Sequence, residues 1–341
     1  MPRPAFPTSL PEFIRLFPDE RAAFDYVIAS RWPEGTGFDC PKCHGVDGFP
    51  RADRLAIQCA SRKCQAYTTA TAGTAMHRSK MPLSKWLLAA WLLVTDKRGV
   101  SAVHLADQLG TTHETAYMML HKLRAAMVAP ERSLLVGRVQ VDETYVGAKK
   151  RGRADAETLA KMLVVGAVEL RDREYTTKAG EHKVATWPGR IRLRHIMGRT
   201  ALELQGFVMD NVAKGSHIVT DGLKEYDDLD QVGYLHEIES VSFGDDPEAV
   251  LPHLHTVFSN LKAYLKGTYH GGVSGKHIQA YLNEYAYRFN RRRNPQAAFQ
   301  TVLGIATRVR GPTYDALYAK DGAAGGWEHP NSDGRPDEPP L

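Results

Sequence analysis

Residues 138–147, RVQVDETYVG, decide how the rest of the chain is read. Val139, Val141 and Tyr145 alternate with polar neighbours, the two-residue period of a half-buried strand. Asp142 falls in the middle of that strand, where a β-branched residue is the ordinary choice, and Asp is depleted in strands. A second strand-like run, residues 216–220 (SHIVT), ends directly on Asp221 and Gly222. Two carboxylates carried side by side by one sheet make a site for hard divalent cations. The alternative is a solvent-facing Asp142 on an edge strand. Glu143 competes for the same role, but successive strand residues point to opposite faces, so only one of the pair faces a site.

Working outward toward the C-terminus, the pattern predicts strands over 139–146, 162–169, 191–196 and 217–220, and helices over 200–212, 254–265 and 276–290. Residues 171–188 read as a hairpin loop. Three strands, a helix, a fourth strand and then helices is the order of an α/β ribonuclease H-like domain with a mixed sheet, expected over 137–308. From residue 311 the chain turns Gly-, Pro- and Asp-rich, and 311–341 is expected to be disordered.

Working outward toward the N-terminus, Pro82-Leu83-Ser84 precedes a helix crowded with Leu87, Leu88, Trp91, Leu92 and Val94. Ser101 is a good N-cap for a second helix, Gly110 stops it, and a third is expected over 113–127. Helix, glycine turn and N-capped helix is the helix-turn-helix pattern, predicted within 76–130. The face carrying His113, Glu114, Tyr117, His121, Lys122 and Arg124 suits phosphates or a groove; the plainer reading is a hairpin that merely packs. All four cysteines lie further upstream, as Cys40-Pro-Lys-Cys43 and Cys59-Ala-Ser-Arg-Lys-Cys64. Two thiol pairs on tight turns predict a tetrahedral Zn2+ site, so 25–75 reads as a zinc ribbon behind a lead segment, 1–24. His44 is a bystander beside four thiols.

At 341 residues, 43% apolar and 24% charged, the chain is long enough for several ordinary globular units. Its net charge of +5 permits nucleic-acid binding without requiring it. The basic residues are clustered, at Lys149, Lys150, Arg151 and Arg153, and again at Arg288 and Arg291 to Arg293. The longest apolar run, 86–94, is far short of a membrane span, and Pro2, Pro4, Pro7 and Pro11 interrupt any signal-peptide core, so a cytoplasmic protein is expected.

The order of zinc ribbon, helix-turn-helix, VDETYVG, VTDG and SNLKAYLKGTYHGGVSGKHIQAYLNEYAYRFNRR resembles the bacterial insertion-sequence transposases of the zinc-ribbon kind. The joining tract TTATAGTAMHRSKMPLSKWLLAAWL is similar to that family too, and the likeness spans most of residues 22–307. It implies a ribonuclease H-like core that binds terminal inverted repeats and target DNA, at least as a homodimer. It further implies DNA transposition with two Mg2+ or Mn2+ ions held by an acidic triad, the first two members being Asp142 and Asp221. A catalytically decayed copy that only binds DNA, and a metal nuclease that cuts without joining, are the competing readings.

The third ligand departs from a plain triad, because no Asp or Glu occurs between residues 250 and 281. Some members of the resembled family carry Asn there, and Asn260 stands at the matching place. His255 is the other candidate; it precedes Lys262 by seven residues and so shares its helix face, with Lys266 further along. That spacing suits a lysine gripping phosphate. In the last helix Glu284, Arg288 and Arg292 follow at four-residue steps, either a solvated ladder or a guanidinium row for DNA backbone. Lys149 to Arg153 would supply a second such surface.

Overall fold

The computed structural model describes residues 5–32, 38–51, 53–129, 131–147, 161–178, 180–239, 250–269 and 273–318. They fall into two compact units, Met1–Pro130 with Arg291–Leu341, and Glu131–Asn290. The basic run Lys149, Lys150, Arg151 and Arg153 lies outside the described residues, as does the expected disordered tail from residue 319.

The first unit opens with α1 (Leu10–Leu16) and α2 (Glu20–Arg31), N-capped by Ser9 and Asp19. A three-stranded antiparallel sheet follows, of β1 (Gly48–Arg51), β2 (Ala56–Cys59) and β3 (Tyr67–Thr69). Helix α3 (Leu83–Thr95) buries Trp86, Leu87, Leu93 and Val94. Its N-cap position is Pro82, which has no side-chain acceptor, and the Glu20 carboxylate accepts from the amides of Leu83 and Ser84 instead. Ser101 caps α4 (Ala102–Leu109), Gly110 ends it in the left-handed region, and Thr112 caps α5 (His113–Ala125). The stops and starts read from the sequence stand.

The face expected on α5 does not. His121 and Arg124 are each 1% exposed and Lys122 is 9% exposed. Lys122 Nζ donates to the carbonyl of His77 at 2.7 Å, and a Cβ at Gly311 would come within 2.8 Å of the Lys122 stem. The segments around residues 77 and 311 thus cover Lys122, which the sequence places toward phosphate. Lys122 and Arg124 are interior groups, and the first turn, with exposed His113 stacked 6.0 Å from half-buried Tyr117, stays accessible.

Helix α9 (Pro295–Ala306), expected within the 137–308 domain, packs in this first unit: Phe299 lies 5.8 Å from the Tyr26 ring and 6.2 Å from Phe17. Ala75 N donates to the carbonyl of Ala306 at 2.9 Å. Residues 314–318, expected to be disordered, form a short helix, α10 (Tyr314–Tyr318), that buries Ala316 and Leu317.

The second unit is built on a five-stranded mixed sheet in the order β6-β5-β4-β7-β8. Its strands are β4 (Arg138–Val146), β5 (Met162–Thr176), β6 (His182–Ile196), β7 (His217–Thr220) and β8 (Leu235–Ile238). Strands β4, β5 and β6 run antiparallel, whereas β7 and β8 add in parallel. Helix α6 (Ala201–Asn211) and a 3-10 helix (Lys224–Val232) cover one face through Val139, Val141, Phe207 and Tyr226. Helices α7 (Pro252–Tyr269) and α8 (Ile278–Asn290) cover the other through Val164, Leu193, Phe258 and Leu282. Strands with helices on both faces make this content consistent with a nuclease-like α/β domain. No helix among the described residues is long and apolar enough to cross a membrane.

Two expectations fail here for identifiable reasons. Residues 171–188 are no loop: β5 and β6 run on in register from Leu170↔Pro188 to Thr176↔His182. The apolar alternation stops where the ribbon leaves the core, although the hydrogen-bond ladder does not. The Glu–Arg ladder is not a solvated face either. Glu284 is fully buried, Arg288 Nη1 lies 3.5 Å from its Oε1, and α8 ends before Arg292.

The bulge where β5 and β6 change register holds a buried carboxylate. Glu169 accepts from Arg190 Nη2 at 2.7 Å, from Arg171 Nη2 at 2.8 Å and from Val136 N at 3.2 Å. Burial pushes its pKa up, but the Arg190 and Arg171 donors outweigh that and bring it down to about 2. Glu169→Gln is expected to cost about 2–4 kcal/mol in urea unfolding at pH 7, since Arg190 loses a buried partner. A depressed pKa stabilises above the ordinary carboxylate value of about 4.3 and ceases to do so as pH falls toward 2. The gap between wild type and variant should therefore shrink over that acid range; a gap that stayed constant would assign the loss to packing.

Candidate metal centres

The thiol centre is assembled by the first sheet. Strand β2 ends on Cys59, and the Cys40 knuckle closes through His44 N donating to the Cys40 carbonyl at 2.8 Å. The four residues between Cys59 and Cys64 form a turn in which Ser61 O accepts from Cys64 N and Gln65 N, both at 3.0 Å. All four Sγ atoms lie within 4.8 Å of one another, with Cys43–Cys59 at 3.5 Å and Cys40–Cys64 at 3.7 Å. These separations are far too long for disulfides, and they match the edge of about 3.8 Å of a tetrahedron with Zn–S near 2.3 Å. The backbone amide of Lys42 leads the contacts that lower the Cys40 thiol to about 7, whereas at Cys43 the Gly45 amide is outweighed by the neighbouring thiols and burial, which push it up to about 12. These four cysteines could hold one Zn2+. His44 is exposed, its Nδ1 3.4 Å from Asp39.

The acidic centre follows from register. Strands β4 and β7 are parallel neighbours pairing Arg138↔His217, Val139↔Ile218 and Gln140↔Val219; carrying that offset two residues on puts Asp221, just past the end of β7, beside Asp142, and the Asp221 charge acts on the Asp142 carboxyl. Adjacent strands lie about 4.8 Å apart and equal parity puts both residues on one face. Gly222 makes the turn behind Asp221 with φ +91°, a region that L side chains rarely adopt. Leu223 N donates to Asp221 Oδ1 at 3.2 Å.

Helix α7 reaches this face at its N-terminus. Leu254 N donates to Gln140 Oε1 at 3.2 Å, which pins the first turn two residues from Asp142 on the same side of β4. His255 Nε2 then lies 3.2 Å from Asp142 Oδ2, while Asp142 Oδ1 accepts from Glu143 N at 2.7 Å. Close approach is possible because Asp142 pairs across the sheet with Gly166, where a Cβ would fall 2.6 Å from the Phe258 ring. Asp142 is 8% exposed. Burial above all, and then the charge of Asp221, hold its carboxyl above the usual range; the Glu143 amide and His255 oppose this. The helix N-terminus adds partial positive charge at the same place.

A groove of about 610 Å³ opens on the site, lined by Asp142, Thr144, His255, Ser259, Asn260 and Lys262 among others. Of the residues expected there, Asp142 and His255 are in contact, and Asn260 and Lys262 stand on the groove wall. Asp221 and Lys266 are not among the described lining residues, and Lys266 is exposed in the last turn of α7.

Glu143 points the other way. Arg199 Nε lies 2.9 Å from its Oε1, and Tyr226 Oη donates to its Oε2 at 3.2 Å. Burial chiefly, and next the neighbouring Asp142 charge, push Glu143 up to about 7. Gln140, Arg199 and Tyr226 escaped the sequence reading. Gln140 carried a weak signal, a polar residue of the same parity as Asp142; the other two are joined to Glu143 only by folding.

Residues 134–290 match the family model described as the ISXO2-like transposase domain, and residues 18–67 match the transposase zinc-ribbon domain. Together these cover more than half of the chain. No curated protein matches it.

Proposed function

We propose that this chain, whose two matched segments are those of an insertion-sequence zinc-ribbon transposase, binds the terminal repeats of its element and catalyses metal-dependent cleavage and transfer of DNA strands. The observation that carries the reading is a buried Asp142 on β4 that feels the charge of Asp221, which directly follows the parallel neighbour β7, with His255 at Asp142. In this reading the second unit is the ribonuclease H-like core, the chain works as a homodimer or larger assembly on two element ends, and its place is the cytoplasm, on the nucleoid when bound.

Two carboxylates that repel each other, Asp142 of them on the groove, fit a divalent cation: burial chiefly, and then the Asp221 charge, raise the Asp142 pKa, and a cation would offset both. Asp142 and Asp221 would hold two Mg2+ or Mn2+ ions, and His255 stands ahead of Asn260 as third ligand because its imidazole is at Asp142. When bound, such ions activate water and offset charge on the leaving oxygen. The chain's own residues do the rest. Lys262 on the groove wall grips a DNA phosphate as a point charge. Gln140 fixes the first turn of α7, and Arg199 with Tyr226 fixes the strand residue after Asp142, so the carboxylates do not reorganise when DNA arrives.

A strand-transfer assay on supercoiled plasmid, with DNA bearing the element's own terminal repeats, tests the whole reading. Joined products are expected. Cuts without joining would make the protein a nuclease, and shifted bands without either would make it a DNA-binding protein that has lost its chemistry. Within that assay His255→Ala should lower cleavage about 10²-fold and Asn260→Ala by less than about threefold. Imidazole suits Mn2+ better than Mg2+ as a companion to carboxylates, so Mn2+ should give more product than Mg2+. The reverse order of the two variants would return the third place to Asn260.

A further inference from the structure

Beyond Leu170 and Pro188, strands β5 and β6 leave the covered part of the sheet and continue as a two-stranded ribbon, closed by a turn in which Thr177 N donates to the Glu181 carbonyl at 2.9 Å. Residues 171–176 are exposed without exception, and so are 181–184, 186 and 187, so neither helical layer reaches the ribbon. A ribbon of that length with two wet faces buries nothing and does not pay for its own ordering.

Its side chains are sorted by charge. Directly opposed residues in an antiparallel pair share a face, and alternate residues along a strand share one too. One face therefore carries Arg171, Arg173 and Tyr175 from β5, with Trp187, Ala185 and Lys183 opposite them. The other carries Asp172, Glu174 and Thr176, with Thr186, Val184 and His182. Three cations and two exposed rings, Tyr175 at 45% and Trp187 at 49%, lie on one side, and the two acidic residues that the strands carry beyond Leu170 and Pro188 lie on the other. The anions that do approach the cations leave them usable. Lys183 meets Glu181 at 2.9 Å, an exposed pair of little strength. Arg171 shares the buried Glu169 with Arg190.

We infer that the Arg171–Arg173–Lys183 face of this ribbon, with Tyr175 and Trp187, is a DNA-binding arm that lies against duplex backbone away from the cleavage centre. The inference rests on the transposase reading and extends it to a surface outside the acidic groove. A two-stranded ribbon fits a DNA groove in width, and segregated cations with interleaved rings complement a polyanion rather than an acidic or apolar protein surface. Position along β5 sets the distance. Asp142 pairs with Gly166, so Arg171 is five residues away along the strand and Tyr175 nine. At about 3.3 Å per residue this is roughly 17–30 Å, or about five to nine base pairs of duplex.

The test uses the full chain and a 40-base-pair duplex of mixed sequence, with affinity read by fluorescence anisotropy across a salt series. The double variant Arg173→Ala/Lys183→Ala should bind about tenfold more weakly near 0.1 M salt. Its slope of log K against log salt should be shallower by about 2, as expected for two lost phosphate contacts. Trp187→Ala should weaken binding with the slope unchanged. Asp172→Ala/Glu174→Ala on the opposite face should bind as wild type or tighter. Thermal melts of all three variants should coincide with wild type, since the ribbon is exposed. If wild type binds the duplex and the ribbon variants bind it equally well, the arm is not a DNA contact and the inference falls while the transposase reading stands. If the variants change only the sedimentation of the free protein, the ribbon joins copies of the chain and the inference likewise falls. If wild type neither binds the duplex nor nicks plasmid with Mn2+, the transposase reading itself falls.

Discussion

Asp142→Asn is expected to lower strand cleavage by about 10³-fold or more, at the upper limit of what a single positioned electrostatic group contributes and beyond it if cation binding is lost outright. Duplex affinity should stay within about threefold, because one interior carboxylate contributes little to a phosphate-driven contact. The same variant should melt at or above the wild-type temperature. Burial, and then Asp221, hold the Asp142 carboxyl above the usual range. A carboxyl with a raised pKa supports the fold fully only while protonated, below about pH 3.9, and that support is lost as pH rises through the raised value. At neutral pH the ionised group is thus a cost that Asn removes, a trade of stability for activity common at functional sites. Retained cleavage would take Asp142 out of the mechanism. Lost cleavage together with a lower melting temperature would mean that the sheet had been damaged, and not that a ligand had been lost.

Cys40→Ser is expected to abolish Zn2+ retention and unfold the region between residues 38 and 69. The core beneath those strands is small: Phe38, Cys40, Ile57 and Cys59, with Ile28 and Trp32 at its border. Two of its four fully buried members are themselves thiols, so apolar burial alone holds little there. Structural zinc contributes about 10–16 kcal/mol in small fingers at neutral pH, more than such a core can replace. Metal analysis should show about one zinc per chain in the wild type and almost none in the variant. Limited proteolysis should open sites between residues 38 and 69 while the Glu131–Asn290 unit remains resistant. A variant that kept its zinc, or its protease resistance without zinc, would overturn the tetrathiolate assignment.

How much of this could be read from the chain depended on whether a signal was local. Ser101, Gly110 and Thr112 act on their own backbones, and the helix boundaries they imply were found where expected. Four cysteines in two close pairs have few ways to meet, and they met. The strand 217–220 is legible because a short β-branched run ends directly on Asp221 and Gly222. The α5 face misled because Lys122 and Arg124 look solvent-seeking on a helical wheel. What covers Lys122 comes from segments about 45 and 190 residues away in sequence, around His77 and Gly311. The ribbon reads as a loop for the opposite reason: outside the core, nothing demands apolar residues, and a hydrogen-bonded ladder leaves no trace in hydropathy.

By itself the sequence determined the parts: a thiol cluster, a capped helix-turn-helix, strands carrying Asp142 and Asp221, and a helix bearing His255, Asn260 and Lys262. Each follows from covalent neighbours, through strand period, capping chemistry and ligand spacing. Only tertiary structure decided which of those parts touch. The parallel pairing of β4 and β7 brought the end of β7, and Asp221 after it, next to Asp142, and Gly166 let α7 come close enough to offer His255 to Asp142. Such choices turn on packing between segments a hundred residues apart, where a single Cβ is enough to change the contact and no local pattern records it.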